Sequence, residues 1–214
     1  MLFVFDLDGT LVDSSRDLAD AGNDVLQIYD RPLLSTEQIV AMVGDGAREL
    51  VRRLIEAGGV NAPLEEALGR FLECYDQRLL ATTRPYDGVF TMLDALKPKA
   101  RLVVLTNKPE AATERLLAGL ELRGYFSDVI GGDSPYGRKP DPSGLFALLA
   151  RADVRSEDAL VVGDSMNDLL VAEAAQVPMC FARYGFGYRQ VAEADRLRAA
   201  HTIDAPEELI ELVP

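Results

Sequence analysis

The sequence predicts an α/β protein, a doubly wound parallel sheet interrupted by an all-helical insertion, on three observations. From Pro85 onward, short apolar runs alternate with stretches of helical periodicity, the pattern of parallel strands joined by crossover helices. One further apolar run, Leu2-Phe3-Val4-Phe5, stands at the start of the chain, apart from the others. Between them, Ser14 to about Thr83 carries helical periodicities only, and 214 residues suit one domain with an insertion of that size.

The elements follow in order. Leu2–Phe5 reads as a strand buried on both faces. Ser14 and Ser15 can cap a helix in which Leu18, Gly22, Val25, Leu26 and Tyr29 recur at helical spacing, and Arg31-Pro32 breaks it. Thr36 to Met42 reads as a short helix and Gly44-Asp45-Gly46 as a turn. Ala47, Leu50, Val51, Leu54 and Ile55 mark one face of the next helix, which Gly58-Gly59 stops. Leu64, Leu68, Phe71, Leu72, Tyr75 and Leu79 mark a fourth. After Pro85 come a helix over Val89–Leu96 and a strand over Arg101–Leu105. Pro109 is expected at the first position of the following helix. A short strand at Asp128–Ile130, a helix over Pro142–Arg151 and a strand over Ala159–Gly163 come next. The chain closes with a helix over Asn167–Gln176, a strand over Pro178–Ala182 and a helix around Pro206–Leu212. The domain reading is residues 1–13 with 85–214 as the α/β core, and 14–84 as the insertion.

Composition excludes several classes. The net charge of −13 offers no basic stripe for nucleic acid. No segment approaches the ~18 apolar residues of a membrane span, and Asp6 and Asp8 interrupt the first apolar run before it reaches signal-peptide length, so the expected location is the cytoplasm. Cys74 and Cys180 are far apart and outside any Cys-x-x-Cys pattern, which leaves them as core residues. His201 has no Gly-x-Ser-x-Gly partner and is not expected to catalyse. Gly132 to Lys139 superficially resembles a nucleotide-binding loop. It fails because Arg138 stands at the lysine position and Pro140 where a hydroxyl should hold Mg²⁺.

Three strands end in polar groups: Asp6 and Asp8, Thr106-Asn107, and Asp164. A loop carries Lys139. In a parallel sheet the carboxyl ends of the strands share one edge, where ligands bind. Clustered carboxylates cannot all ionise without a cation. Oxygen-only ligands favour a hard metal such as Mg²⁺, and hydroxyl, amide and ammonium groups suit phosphate oxygens. The chemistry implied is Mg²⁺-dependent phosphoryl transfer with an aspartate available as nucleophile.

On these residues the chain resembles the haloacid dehalogenase superfamily phosphatases that carry a helical cap after the first motif. Asp6-Leu7-Asp8-Gly9-Thr10, Thr106-Asn107, Lys139-Pro140 and Gly163-Asp164-Ser165-Met166-Asn167-Asp168 match the family's four motifs, in order. The resemblance implies that Asp6 attacks phosphorus and that Asp8 serves as acid and then base. It implies that Leu7, Asp8, Thr106, Asn107 and Lys139 bind the phosphate. Mg²⁺ would be held by Asp6, the Asp8 backbone carbonyl and Asp164, with support from Asp168, and Ser165 would assist. Asp8 also favours phosphate esters over halides, since the family's dehalogenases lack that second aspartate and a phosphate ester needs its leaving oxygen protonated.

Within the family the chain resembles the phosphoglycolate phosphatase-like group through Val43-Gly44-Asp45-Gly46-Ala47-Arg48-Glu49-Leu50. That resemblance implies that Gly46 and Arg48 face the substrate, Arg48 meeting a carboxylate. An exposed helix arginine is the alternative. Lys108 is expected either to touch substrate or to stand solvated. Arg183-Tyr184-Gly185-Phe186-Gly187-Tyr188 resembles a family loop near the mouth of the site, or is a plain surface loop. The expected partner is a small phosphorylated metabolite, without nucleic acid or membrane, and the chain a monomer or dimer. The rival readings are a sugar phosphomutase, a pyrophosphatase or nucleotidase, and a non-catalytic receiver-like protein.

Overall fold

Leu2–Phe5 (β1) lies inside a six-stranded parallel sheet in the computed structural model, which describes residues 1–212. Its alternation sorts the core: Phe3 and Phe5 pack into one hydrophobic cluster, Leu2 and Val4 into another on the opposite face. A turn follows, then Val12–Asp13 (β2) and four helices, Ser15–Ile28 (α1), Thr36–Val40 (α2), Ala47–Ala57 (α3) and Leu64–Arg78 (α4). The chain returns through Arg84–Pro85 (β3), which pairs antiparallel with β2, Val12 opposite Pro85 and Asp13 opposite Arg84. The helices therefore leave and re-enter through a two-stranded ribbon.

The rest alternates. Val89–Leu96 (α5), Arg101–Leu105 (β4), Glu110–Gly119 (α6), Asp128–Ile130 (β5), Ser143–Ala152 (α7), Ala159–Gly163 (β6), Met166–Ala174 (α8) and Met179–Ala182 (β7) are followed by Glu193–Arg196 (α9), His201–Ile203 (β8) and a 3₁₀ turn over Pro206–Leu212. The strand order is β5-β4-β1-β6-β7-β8. Helices α5 and α6 contribute to the cluster containing Phe3 and Phe5, and α7 and α8 to that containing Leu2 and Val4. The two clusters give a three-layer core. Successive crossovers from β1 go to opposite sides, so a crevice opens at the carboxyl ends of β1, β4 and β6. The first cluster runs on into Leu18, Ile39, Leu54 and Phe71 of the inserted helices. No helix among the described residues is long and apolar enough to cross a membrane.

Local differences from the expected elements have local causes. Pro109 and Pro142 stand just outside their helices, as N-caps, and the helices run from Glu110 and Ser143. The helix expected to Gln176 ends at Ala174, and Gln176 turns left-handed at φ 55°. The tail helix is a 3₁₀ turn. The edge strand His201–Ile203 was not foreseen: three residues, two of them exposed, carry no apolar run. The last two residues of the 85–214 segment lie outside the described residues.

Candidate active site

The sheet itself fixes the edge at which the candidate residues meet. The Asp6 N–H donates to Val162 O at 2.9 Å and the Thr106 N–H to Ile130 O at 3.0 Å, so each residue continues a parallel ladder one step beyond its strand. Asp164 directly follows β6. These residues, with Asp8, Asn107, Lys108, Lys139 and Ser165, line one cavity of about 80 Å³. Leu7 contributes no side chain, its own being fully buried in the core, so only its backbone can serve a ligand.

Lys139 reaches this edge from its loop. Its Nζ donates to Asp6 Oδ1 at 2.7 Å and to Asp168 Oδ1 at 2.6 Å, with all three groups buried. Burial pulls its pKa down, but the two carboxylates outweigh it and hold the ammonium above the ordinary lysine value. Burial pushes the Asp6 carboxyl up to about 6, against the opposing pull of Lys139. Asp164 is raised well above the usual carboxylate range, by burial first and then by the charges of Asp6 and Asp168.

One oxygen from each of Asp6, Asp164 and Asp168 lies within 4.8 Å of the others. Three carboxylates here share the single ammonium of Lys139, so a divalent cation would neutralise the excess. The donors are all oxygen, which fits a hard cation. The loop holding Gly185 and Gly187 closes on Asp164: the Gly187 N–H donates to Asp164 Oδ2 at 2.7 Å. Close approach requires glycine at two positions. A Cβ on Gly9 (φ +91°) would lie 2.0 Å from Asp164 Oδ2, and one on Gly185 2.2 Å from Gly9 O. That loop is therefore packed against the acidic cluster.

Asp8 faces a different set. Lys108 Nζ donates to its two oxygens at 3.0 and 2.9 Å, and Ser14 Oγ to Oδ1 at 2.6 Å. A third Lys108 bond, 2.6 Å, goes to the Tyr75 hydroxyl on α4. Burial lowers the Lys108 pKa, but Asp8 and Tyr75 outweigh it and hold the ammonium protonated. Lys108 is thus no solvated lysine. Ser14 is the N-cap residue of α1 but makes no side-chain cap bond; its hydroxyl serves Asp8. Tyr75 went unforeseen because its spacing on α4 reads as plain core. The available signal was a polar-tipped aromatic on an otherwise apolar face.

Asn107 and the inserted helices meet over the edge. The Asn107 Nδ2 donates to Gly44 O at 2.8 Å and to Lys139 O at 2.9 Å. Asn167 Nδ2 donates to Asp45 Oδ1 at 2.7 Å. The Asn107 side-chain nitrogen is thus spent on holding two loops, which leaves its backbone N–H for a ligand. Gly46 lines the cavity as the N-cap of α3. Arg48 is absent from the lining. Its half-exposed guanidinium pairs with Glu65 at the surface, because one step along α3 from Ala47, a lining residue, turns its side chain outward. Of the two readings of Arg48, the exposed helix arginine is the one this geometry fits.

Comparison with known proteins gives a consistent picture. Residues 3–182 match the family model described as haloacid dehalogenase-like hydrolase. A Pseudomonas aeruginosa protein named phosphoglycolate phosphatase 1 is 42% identical over 199 residues, 90% of this chain and 73% of its own length. A Rhodospirillum rubrum phosphoglycolate phosphatase is 41% identical over 202 residues, 91% of this chain and 84% of its own. The crystal structure of a predicted phosphoglycolate phosphatase from Haemophilus somnus superposes with a TM-score of 0.93 at 28% identity, covering 100% of this chain and 97% of that one.

Proposed function

The chain belongs to the haloacid dehalogenase-like hydrolases, and from that premise we propose that it hydrolyses a small phosphate monoester, 2-phosphoglycolate foremost, through a phosphoryl group carried on Asp6. One observation carries the reading. Asp6 and Asp8 leave the same strand end one residue apart yet face different partners: Lys139 and the acidic cluster for Asp6, Lys108 and Ser14 for Asp8. Two carboxylates in separate settings can take two roles.

In the first step an Asp6 oxygen attacks phosphorus. The bond from phosphorus to the ester oxygen breaks, its electron pair stays on that oxygen, and Asp8 supplies the proton. In the second step water attacks the phosphoryl group, Asp8 takes the water's proton, and the phosphorus–Asp6 bond breaks to release phosphate. Lys139 keeps Asp6 ionised and aimed. The Thr106 hydroxyl, the Asn107 backbone N–H and the backbone at Leu7 and Asp8 hold phosphate oxygens. Asp6, the Asp8 carbonyl and Asp164 are the proposed Mg²⁺ ligands, with Asp168 behind them. When bound, the ion neutralises charge on the phosphoryl oxygens. Residues 14–84 act as a cap over the leaving group.

The test is phosphate release from a panel of phosphate esters, with Mg²⁺ and with EDTA. Release is expected with Mg²⁺, fastest from 2-phosphoglycolate, and lost on chelation. Activity surviving complete metal removal would overturn the metal assignment. Isomerised sugar phosphate without net phosphate release would replace hydrolysis by a mutase reaction.

A further inference from the structure

The cavity above the reactive edge has two unlike halves. The phosphate half is polar, with Asp6, Thr106, Lys139 and Asp164. The cap half is walled by Val43, Ala47, Leu50, Phe71, Leu72 and Phe186. Two ammonium groups line the whole cavity among the described residues. Lys139 is bracketed by Asp6 and Asp168 on the phosphate side. Lys108 stands where the two halves meet, its Nζ against Asp8 and 2.6 Å from the Tyr75 hydroxyl.

Tyr75 makes that junction informative. Its oxygen accepts from Lys108, and its own proton finds no acceptor among the described residues, although the side chain is buried at 5% exposure. A buried hydroxyl normally uses its proton. Here an unused O–H donor and an ammonium stand together beside Asp8, the group that serves the ester oxygen. The side chains of the surrounding wall toward the inserted helices, Val43, Ala47, Leu50, Phe71 and Leu72, are apolar, so a sugar's hydroxyls would meet few partners there, at a cost. The cavity of about 80 Å³ is also far below the ~300–1,000 Å³ of pockets that enclose drug-sized ligands.

Resting on the hydrolysis reading above, we propose that Lys108 and Tyr75 form a subsite, split between core and cap, for an anionic group carried on the carbon next to the ester oxygen. The ammonium supplies charge and the Tyr75 hydroxyl a directed hydrogen bond. The cap thereby takes part in choosing the substrate through one aromatic residue, and Arg48 does not. The substrate class is a short phosphate ester of a 2-hydroxy acid.

The experiment compares kcat/KM for 2-phosphoglycolate with that for ethyl phosphate, which keeps the carbon count and lacks the carboxylate, in the wild-type protein and in Tyr75→Phe. The wild type should prefer the acid. Tyr75→Phe should lower the ratio of the two values by about tenfold or more, the worth of a hydrogen bond to a charged group. Lys108→Met should lower it further. A wild-type ratio near one, or a Tyr75→Phe variant that slows both esters by the same factor, overturns the subsite and leaves hydrolysis standing. If the wild type releases phosphate from neither ester, nor from any other in the panel, the hydrolysis reading itself fails.

Discussion

Asp17 and Asp164 touch solvent equally little, each 1% exposed, yet they behave in opposite ways. Asp17 sits in the first turn of α1, beside the ribbon through which the inserted helices leave and return. It accepts bonds from the backbone N–H groups and hydroxyls of Thr82 and Thr83, at 2.6–3.0 Å. Burial pushes its pKa up, but those bonds win and hold the carboxyl below the usual range. Asp164 accepts one bond, from Gly187, among the described residues, and its pKa stands well above the usual range. Lack of exposure alone therefore does not say what a carboxylate is for; how deep it is set in the protein and how many donors it meets do. A buried carboxylate whose oxygens are saturated is a strut. One left short, beside two others, is a place for a cation.

The sharpest way to break that contrast is to neutralise one carboxylate of each kind. Asp6→Asn should cut kcat by about three orders of magnitude or more, as loss of a nucleophile does. Its thermal midpoint should hold or rise, because a buried charge has been removed from the acidic cluster. Substantial turnover by Asp6→Asn, measured by phosphate release, would end the nucleophile assignment.

Asp17→Asn should do the reverse. Swapping an oxygen acceptor for a donor against Thr82 and Thr83 should cost about 3 kcal/mol of stability, read from denaturant midpoints, with kcat largely retained. The sign with pH follows from the lowered pKa. Asp17 contributes stability above its unfolded value near 3.8 and loses it as pH falls through the still lower folded value. Wild-type and variant midpoints should thus converge in acid.

The acidic cluster gives the opposite slope. Asp6, at about 6, and Asp164 both hold protons in the folded state above their unfolded values. Metal-free stability contributed by Asp6 therefore falls as pH rises from about 4 through about 6, and the contribution of Asp164 changes in the same direction. Mg²⁺ competes with those protons, so the rise in thermal midpoint on adding Mg²⁺ should be larger at about pH 7.5 than at about pH 5. Equal rises at both would detach the carboxylates from the metal.

The smallest effect is expected at Arg48. Its exposed pairing with Glu65 predicts that Arg48→Ala changes kcat/KM by less than about twofold. A larger fall with 2-phosphoglycolate would put the arginine back at the substrate.

Much of the candidate site's lining was legible in advance. Asp6, Asp8, Thr106, Asp164 and Lys139 all line the cavity. Where reading failed, the partner lay far along the chain. The sequence leaves Lys108 between substrate contact and a solvated lysine, because Asp8 is 100 residues away and Tyr75 is 33. Ser14 looked like a helix cap because the rival acceptor sits across a turn. Asp17 gave no sign of Thr82, 65 residues on.

What the sequence determined by itself was the alternation of buried strands and helices, the place of the insertion, and the residue types gathered at the strand ends. Those follow from local periodicity and from the parallel-sheet rule that brings carboxyl ends to one edge. Only the tertiary structure decided which carboxylates are saturated and which are short of donors. It also decided that Lys108 and Tyr75 meet at Asp8 and that Arg48 faces water. A side chain's charge state and partners are sums over neighbours delivered by distant crossovers, and no local pattern in the chain carries such a sum.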